Sequence, residues 1–530
     1  MLWEVKQQNI FDPVPRHRLE MFSKEELIEF YQAEQRVRIQ FQKHNEELRA
    51  LQQELLQKSF LIEEQYITIK NKLFGKSSER SVKSSAAGGV KNTKKKVQLP
   101  SERYPNLPLI ERDITLDKLP GCNCCGHQMS DSGMTEDSEY LTVVPAQYYV
   151  VRQRRHKYRC EKCHGDIKTA PAPARIKDGS SYSNEMIIDA ALSKYCDLIP
   201  MERYAAIAGR LGVKGLPPQS LIESSHYLSD YVRSAYKRLK EEILRSLVLH
   251  ADETPHPMLE GDEKTSWYLW GFSTKWTSYF ECHNTRSGDV ASTILLQSSC
   301  RVLVSDVYSG YNKSVNETNK IRAEKLQEII QHAYCNAHAR RKFKEASEVL
   351  RAMAESLTDP EVKARAILEY ERSLFYVKQY RKIYRLEGLA QKFPEFNQRI
   401  RQRLPKYFEK MRDQCMRDKA GYSSQSACGK AMGYFLKNYN NFVRFINQPD
   451  VPIDNNAAER VLRNPVIGRK TWYGTHSPRG AETAAILFSL VESCKLNKIN
   501  PREYFKKLVE DLQQNKTAFT PKEMADLAQN

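Results

Sequence analysis

The spacing of apolar positions changes several times along the chain, and each change predicts a different element. Between residues 24 and 74, Phe41, Leu48, Leu55, Ile62 and Ile69 return every seventh position with no proline among them. A seven-residue apolar period is the seam of a supercoiled helix. The companion seam position is poorer, with Gln52, Ser59 and Tyr66 preceding Leu73. Residues 24–75 are therefore expected as one coiled-coil helix stopping at Gly75, either dimerising through this seam or packed on its own domain. Residues 76–100 carry seven basic side chains, one acid and almost nothing to bury, the composition of a disordered basic linker. Residues 180–240 read as helical, with a turn at Gly212 and a new start near Ser220 after Pro217 and Pro218. A helix-turn-helix and a plain helical hairpin both fit this pattern.

The period then shortens to that of strands. SLVLHADETP is a β-type run ending at Asp252. TSWYLWGFST and WTSYFECH are two further strands about a turn at Ser273–Lys275. GDVASTILLQ is a short helix, and CRVLVSDVYSGY is a strand ending at Asp306. Three strands, a helix and a strand predict a mixed α/β sheet. If the first and fourth strands are neighbours, Asp252 and Asp306 meet where such sheets place their ligands. Each Asp alone reads as a turn or cap residue, and Glu253 is a competing acid.

The 153 residues from Asp306 to Glu459 are too many for a simple connection. Ile367, Tyr370, Leu374, Val377, Tyr380 and Tyr384 step by three or four, so residues 313–450 are expected as a helical insertion. Its basic stretches RKIYR and RQRLPKYFEK either clamp DNA or are solvated. Beyond it, Asp454 or Asn455 caps a helix that carries Glu459 and packs through Val461 and Leu462. Two helices close the chain. The first runs near 480–496 with Ala484, Leu487, Leu490 and Val491 inward, and the second opens at Asn500-Pro501-Arg502-Glu503.

Composition narrows the class. The 530 residues predict two to four domains. Lysine and arginine number 83 against 65 acids, a net charge of +18 that suggests a polyanionic partner. Twelve cysteines are too sparse for a disulfide scaffold and suit a reducing, cytoplasmic setting. No apolar run has the length of a membrane span, and no secretion signal is legible. The cysteines do form one pattern: Cys122 with Cys125, and Cys160 with Cys163. Two such pairs offer four thiolates to one tetrahedral Zn²⁺, predicting a zinc ribbon over residues 115–170. Four cysteines leave no open position, so this zinc is structural and Cys124 is a free thiol. The intervening TVVPAQYYVVRQRRHKYRC is expected to form strands, with Arg152, Arg154, Arg155, Lys157 and Arg159 available to a DNA backbone.

Asp252, Asp306 and Glu459 together would repel one another. A divalent cation reverses that, and an all-oxygen set suits Mg²⁺ or Mn²⁺. Two such ions serve in-line attack at phosphorus. Arg460, Arg463, Arg469 and Lys470, following Glu459, would then hold phosphates.

HADETP at 250–255, SDVYSGYN at 305–312, CNAHARRKF at 335–343, PIDNNAAERVLR at 452–463, GRKTWYG at 468–474 and RGAETAAILFSLVESCKLNKINP at 479–501 resemble the transposases of the insertion sequence 66 family. NKLFGKSSER at 71–80, the paired cysteines and the stretch around KYCDLIPMERY are similar to that family's N-terminal half. The resemblance implies an RNase H-like (retroviral integrase) core at 245–312 and 450–490, with C-terminal helices over 491–530. It implies an acidic triad of Asp252, Asp306 and Glu459. It also singles out Cys335 and His338, with His338 positioning the scissile phosphate or supporting the site, and Arg340 and Arg341 as DNA contacts. The implied activity is cutting at element ends followed by 3′-OH strand transfer. The implied partners are double-stranded DNA (element ends and target), further copies of the chain as a homodimer or higher assembly, and accessory proteins of the element. Val307 and Asn336 depart from the family pattern. A catalytically inactive DNA-binding descendant and an RNase H-like nuclease without strand transfer are the alternatives.

Overall fold

The computed structural model describes residues 22–74, 99–114, 118, 120, 123–125, 127–129, 138–143, 146–161, 167–260 and 266–529. The expected linker, apart from Leu99 and Pro100, lies outside the described residues, as do Cys122 and Cys163. The chain divides into two units. The smaller comprises Ser77–Ala172 and Ala205–Pro217, and the larger Met1–Lys76, Pro173–Tyr204 and Pro218–Asn530.

Helix α1 (Lys24–Phe74) runs unbroken. Phe41, Leu48, Leu55, Ile62 and Ile69 are all exposed along it. Phe60, Glu64 and Ile67 lie on a different face and are buried. Two features that the sequence offered as alternatives thus sit on separate faces of one helix. One face packs on its own unit, and the heptad stripe stays uncovered.

In the smaller unit β1 (Lys157–Arg159) pairs antiparallel with β2 (Ile167–Thr169). Among the described residues, only KYR of the expected run TVVPAQYYVVRQRRHKYRC forms a strand. No described residue between 99 and 172 is buried, so apolar burial does not hold this hairpin together.

The larger unit continues with α2 (Asn184–Tyr195); α3 (Met201–Arg210) passes from it into the smaller unit after Tyr204, and α4 (Pro218–Tyr231) and α5 (Arg233–Arg245) belong to the larger unit. The second helix of the candidate helix-turn-helix, α4, buries Leu221, Ser224, Ser225, His226, Leu228 and Ser229.

Five strands follow: β3 (Val248–Pro257), β4 (Ser266–Ser273), β5 (Ser278–His283), β6 (Val302–Ser305) and β7 (Gln331–Tyr334). They are ordered β5-β4-β3-β6-β7. The first three are antiparallel neighbours, and β3, β6 and β7 run parallel. Helix α6 (Asp289–Gln297) crosses from β5 to β6, and α7 (Ser309–Glu324) from β6 to β7.

Two expectations are corrected here. β3 does not end at Asp252 but continues to Pro257, because β4 pairs with it along its whole length. And β7 belongs to the sheet, so the insertion begins after Tyr334 and not at residue 313. The polar Gln331 and His332 hide this strand from an apolar count.

The insertion comprises α8 (Asn336–Ser356), α9 (Pro360–Lys392), α10 (Asn397–Arg401), α11 (Pro405–Lys419), α12 (Ala427–Lys437) and α13 (Tyr439–Val443). Its core is aromatic, with Phe343, Tyr376, Tyr380, Phe408 and Phe435 fully buried. Val302 and Val304 on β6 join this core, and Leu303 between them joins the other, as alternation along a strand requires. The buried stripe of α9 is Ala366, Glu369, Ser373, Tyr376, Gln379, Tyr380, Ile383, Glu387 and Ala390. This is one position off the expected Ile367-based stripe, because buried polar residues interrupt the apolar pattern. Within RQRLPKYFEK, Arg401 is neither a clamp nor solvated. It is buried, ion-paired to Glu387 (Nη2 to Oε1, 2.6 Å).

The chain returns to the sheet with α14 (Asn456–Trp472), which packs on β3 and β4 through the buried Val461 and Leu462. Helices α15 (Pro478–Leu496), α16 (Pro501–Gln513) and α17 (Pro521–Gln529) follow. Ala484, Leu487, Leu490 and Val491 are buried on α15, and Asn500 caps α16 with its side chain. The last helix, α17, was not legible in the apolar pattern. No helix among the described residues is long and apolar enough to cross a membrane.

Candidate active site

Parallel pairing of β3 with β6 sets His250 beside Val304 and ends there. Two residues further along each strand come Asp252 and Asp306. The ladder between the two strands has ended at this point, and the charge of Asp306 acts on the Asp252 carboxyl. Asp306 stands past the end of β6, where its Oδ1 accepts the Tyr308 backbone N–H at 3.1 Å. Asp252 Oδ1 accepts the Glu253 N–H at 3.0 Å.

The third acid arrives by a different route. Asn455 precedes α14 but does not cap it with its side chain. Its Nδ2 donates to the Ala251 carbonyl at 2.8 Å, and its Oδ1 meets His250 Nδ1 at 2.8 Å. Its backbone N–H donates to Cys335 Sγ at 3.1 Å. One buried asparagine thus pins the start of α14 to the strand that carries Asp252, and Glu459 follows in the first helical turn.

Electrostatics report the convergence. Burial, and then the charges of Glu253, Asp306 and Glu459, push the Asp252 carboxyl well above the usual carboxylate range. Burial also raises Asp306, opposed by His338, the Tyr308 N–H and Arg286. The charges of Asp306 and Glu459 thus act on Asp252, while Arg286 acts on Asp306 in the opposite sense.

His338, in the first turn of α8, completes the group. Its Nδ1 stands 3.7 Å from Glu459 Oε1, beyond hydrogen-bonding range. Both atoms are buried, and neither has a hydrogen-bond partner. Arg341 Nη2 is 3.9 Å from Glu459 Oε2. Ligand atoms of Cys335, His338 and Glu459 lie within 4.8 Å of one another. Cys335 does not share a helix face with His338, because it is the residue just before α8. Its thiol is pushed up to about 12 by burial and is engaged by Asn455. A protonated, soft sulfur is a poor ligand for Mg²⁺.

The competing acid is settled by its partners. Glu253 follows Asp252 on β3, and its charge acts on the Asp252 carboxyl. Its Oε1 accepts from Arg286 Nε and Nη2 at 2.9 and 2.6 Å, and its Oε2 from Tyr311 Oη at 2.6 Å. Both oxygens are occupied.

The basic residues divide. Arg460, Arg463 and Lys470 are exposed on α14, and Arg340 is exposed over the Tyr384 ring at 5.0 Å. Arg469 instead donates to the Pro255 carbonyl and bonds Thr254 Oγ1, which makes it a brace between α14 and β3. The two departures from the family pattern have structural uses. Val307 packs against the insertion core. Asn336 is fully buried, its Nδ2 donating to Phe442 O at 2.9 Å and Ile453 O at 3.1 Å. The side-chain partners of Asn336 and Asn455 and the Glu253–Arg286–Tyr311 cluster were not legible in the sequence, where Asn336 stands only as a departure from the family pattern, Asn455 as a cap and Glu253 as a competing acid. Of the predicted zinc ligands, Cys125 and Cys160 are described, and both are exposed.

Comparison with known proteins bears on these residues. The family described as "Transposase IS66 family" matches residues 179–483. The "zinc-finger binding domain of transposase IS66" matches residues 120–164, spanning all four candidate zinc cysteines. Two similar proteins of Sinorhizobium fredii, both named only as uncharacterized, are y4hP and y4jD. The first is 26% identical over 417 residues, 74% of this chain and 71% of the relative. The second is 26% identical over 405 residues, 73% and 74% respectively.

Proposed function

Because the chain belongs to the IS66 family of transposases, we propose that it binds the ends of an insertion sequence, cuts a strand there and joins the freed 3′-OH to target DNA. The observation that carries this reading is the half-buried Asp252 two residues beyond the β3–β6 pairing, on which the charges of Glu253, Asp306 and Glu459 act, with Glu459 Oε1 left without a hydrogen bond. The strand order 5-4-3-6-7 and its mix of antiparallel and parallel pairs support an RNase H-like core. The oxygen donors fit a hard divalent cation. Asp252, Asp306 and Glu459 would hold Mg²⁺ or Mn²⁺, which when bound supplies Lewis-acid polarisation of the phosphate and an activated oxygen nucleophile.

The reaction is a pair of in-line displacements at phosphorus. Water attacks the end phosphodiester and the 3′ oxygen leaves. That 3′-OH then attacks a target phosphodiester and displaces its bridging oxygen. No protein nucleophile is needed. Arg460, Arg463 and Lys470, with Arg340 and Arg341, grip backbone phosphates. His338 orients Glu459 and the scissile phosphate. Asn455 fixes Glu459 against β3, and Arg469 holds α14 on the same strand. The exposed heptad stripe of α1 pairs with a second copy of the chain.

Cys122, Cys125, Cys160 and Cys163 hold a structural Zn²⁺. That no described residue from 99 to 172 is buried supports this, since a segment without a core needs a staple. Chelating that zinc should abolish end-specific binding.

Incubation with element-end DNA, supercoiled target and Mg²⁺ tests the reading. Joined products are expected. Cut products alone would leave a nuclease, and binding without cutting an inactive descendant.

A further inference from the structure

The loop joining β5 to α6 presents Arg286 at the edge of the acidic site, and neither the motifs nor the family pattern drew attention to it. Its guanidinium is half exposed (48%), whereas the Glu253 carboxylate that anchors it is 3% exposed. Nε and Nη2 both donate to that one carboxylate oxygen. Among the described residues, none accepts from Nη1. The guanidinium lies over the Tyr308 ring at 4.3 Å, with Tyr268 6.0 Å away. Tyr308 Oη donates back to the Arg286 carbonyl at 2.9 Å. Tyr308 also supplies the backbone N–H that Asp306 accepts. Arg286 is therefore fixed to one of the three acids through a single intervening residue.

The loop itself is clamped. Trp270 Nε1 donates to the Thr285 carbonyl at 3.2 Å. Ser314 Oγ donates to the Gly288 carbonyl. A Cβ on Gly288 would collide with the Gly310 carbonyl at the start of α7, so this close approach needs glycine. An arginine that only neutralised a buried acid would need none of this rigging. One held along one edge, stacked on its face and open along its other edge has already lost the freedom that ligand binding would otherwise cost. The open edge of a guanidinium matches the paired oxygens of a phosphodiester.

We infer that Arg286 is a phosphodiester-binding residue at the mouth of the acidic site, gripping the backbone of the strand that enters it. This rests on the strand-cleavage reading above and adds a contact to it. Glu253 is then the anchor that keeps Arg286 from collapsing onto Asp252 and Asp306.

The experiment compares the full-length chain with Arg286→Ala and with Arg286→Ala/Glu253→Gln, in which the buried acid no longer needs a counter-charge. Nicking of element-end duplex is followed in Mg²⁺. Binding is followed in Ca²⁺ on duplexes in which single phosphates near the cut are replaced by uncharged methylphosphonates. Both variants should nick on the order of 10²-fold more slowly. One methylphosphonate position should weaken the wild-type protein roughly tenfold and leave the double variant unaffected. A double variant that nicks like the wild type, or keeps its whole methylphosphonate profile, overturns the inference and reduces Arg286 to a counter-ion. A wild-type chain that binds but never nicks overturns the cleavage reading instead, and the binding profile still decides Arg286.

Discussion

Two clusters of charge in the larger unit are built on opposite logic. In the insertion, Glu387 and Arg401 are each 2% exposed, and they satisfy each other. Arg401 donates twice to the carboxylate, and its Nη1 reaches the carbonyls of Phe445, Gln448 and Pro449. At the sheet, the charges of Glu253, Asp306 and Glu459 act on the half-buried Asp252, and buried atoms of Glu459 and His338 go unbonded. A buried pair with all its hydrogen bonds made is a structural brace. A cluster of like charges left short of partners weakens the fold, and sequences keep such clusters where a ligand completes them. The difference separates holding from doing within one unit.

The largest effect should come from the acids. Asp252→Asn should cut Mg²⁺-dependent nicking by about 10³-fold or more, the loss of several kcal/mol of charge stabilisation. Duplex binding measured in Ca²⁺ should stay within a few-fold. Normal nicking by this variant would end the contrast, because the cluster would then be incidental.

Next comes the brace. Arg401→Met strands Glu387 as a buried unpaired charge and should cost about 3–5 kcal/mol in denaturant unfolding. Arg401→Met/Glu387→Met should recover most of that loss. If the single variant is as stable as the wild type, the pair is not the staple described here.

A smaller effect has the opposite sign. Asp252 carries a raised carboxyl in the folded state, so the unfolded chain gives up its proton first as pH rises. Stability of metal-free protein should therefore fall between the ordinary aspartate range and the higher folded value. Asp252→Asn should remove this fall and raise metal-free stability at pH 7 by on the order of 1 kcal/mol. Thermal melts against pH check it, and an unchanged pH profile would mean that the acids do not repel.

Smallest is the split among the basic residues of α14. Arg460→Ala should lower the slope of log affinity against log salt by about one, without changing the melt. Arg469→Ala should shift the melt and leave that slope nearly unchanged. Identical behaviour would erase the distinction drawn between phosphate contact and brace.

Much of this architecture was legible because apolar period is a strong signal. Phe41 to Ile69 marked α1, and four core strands were found, although β3 runs past Asp252 to Pro257; β3 and β6 are the neighbours that an approach of Asp252 to Asp306 requires. Failures came where polar residues do structural work. Glu369, Ser373 and Glu387 face the core of α9, so counting apolar residues placed its inner face one position away. Gln331 and His332 concealed β7. Asn455 looked like a cap because amides usually are caps, whereas its side chain reaches across 205 residues to His250. Arg286 could not be read at all, since its partners Glu253, Tyr308 and Tyr268 meet only in the fold.

The most direct test of the central claim is diffraction from crystals grown with Mn²⁺, using the anomalous signal to locate the metal. The account predicts Mn²⁺ touching Asp252 and Asp306, with Glu459 as a further ligand, and no such peak in Asp252→Asn. Manganese bound elsewhere, with these three carboxylates left bare at a saturating concentration, would contradict it.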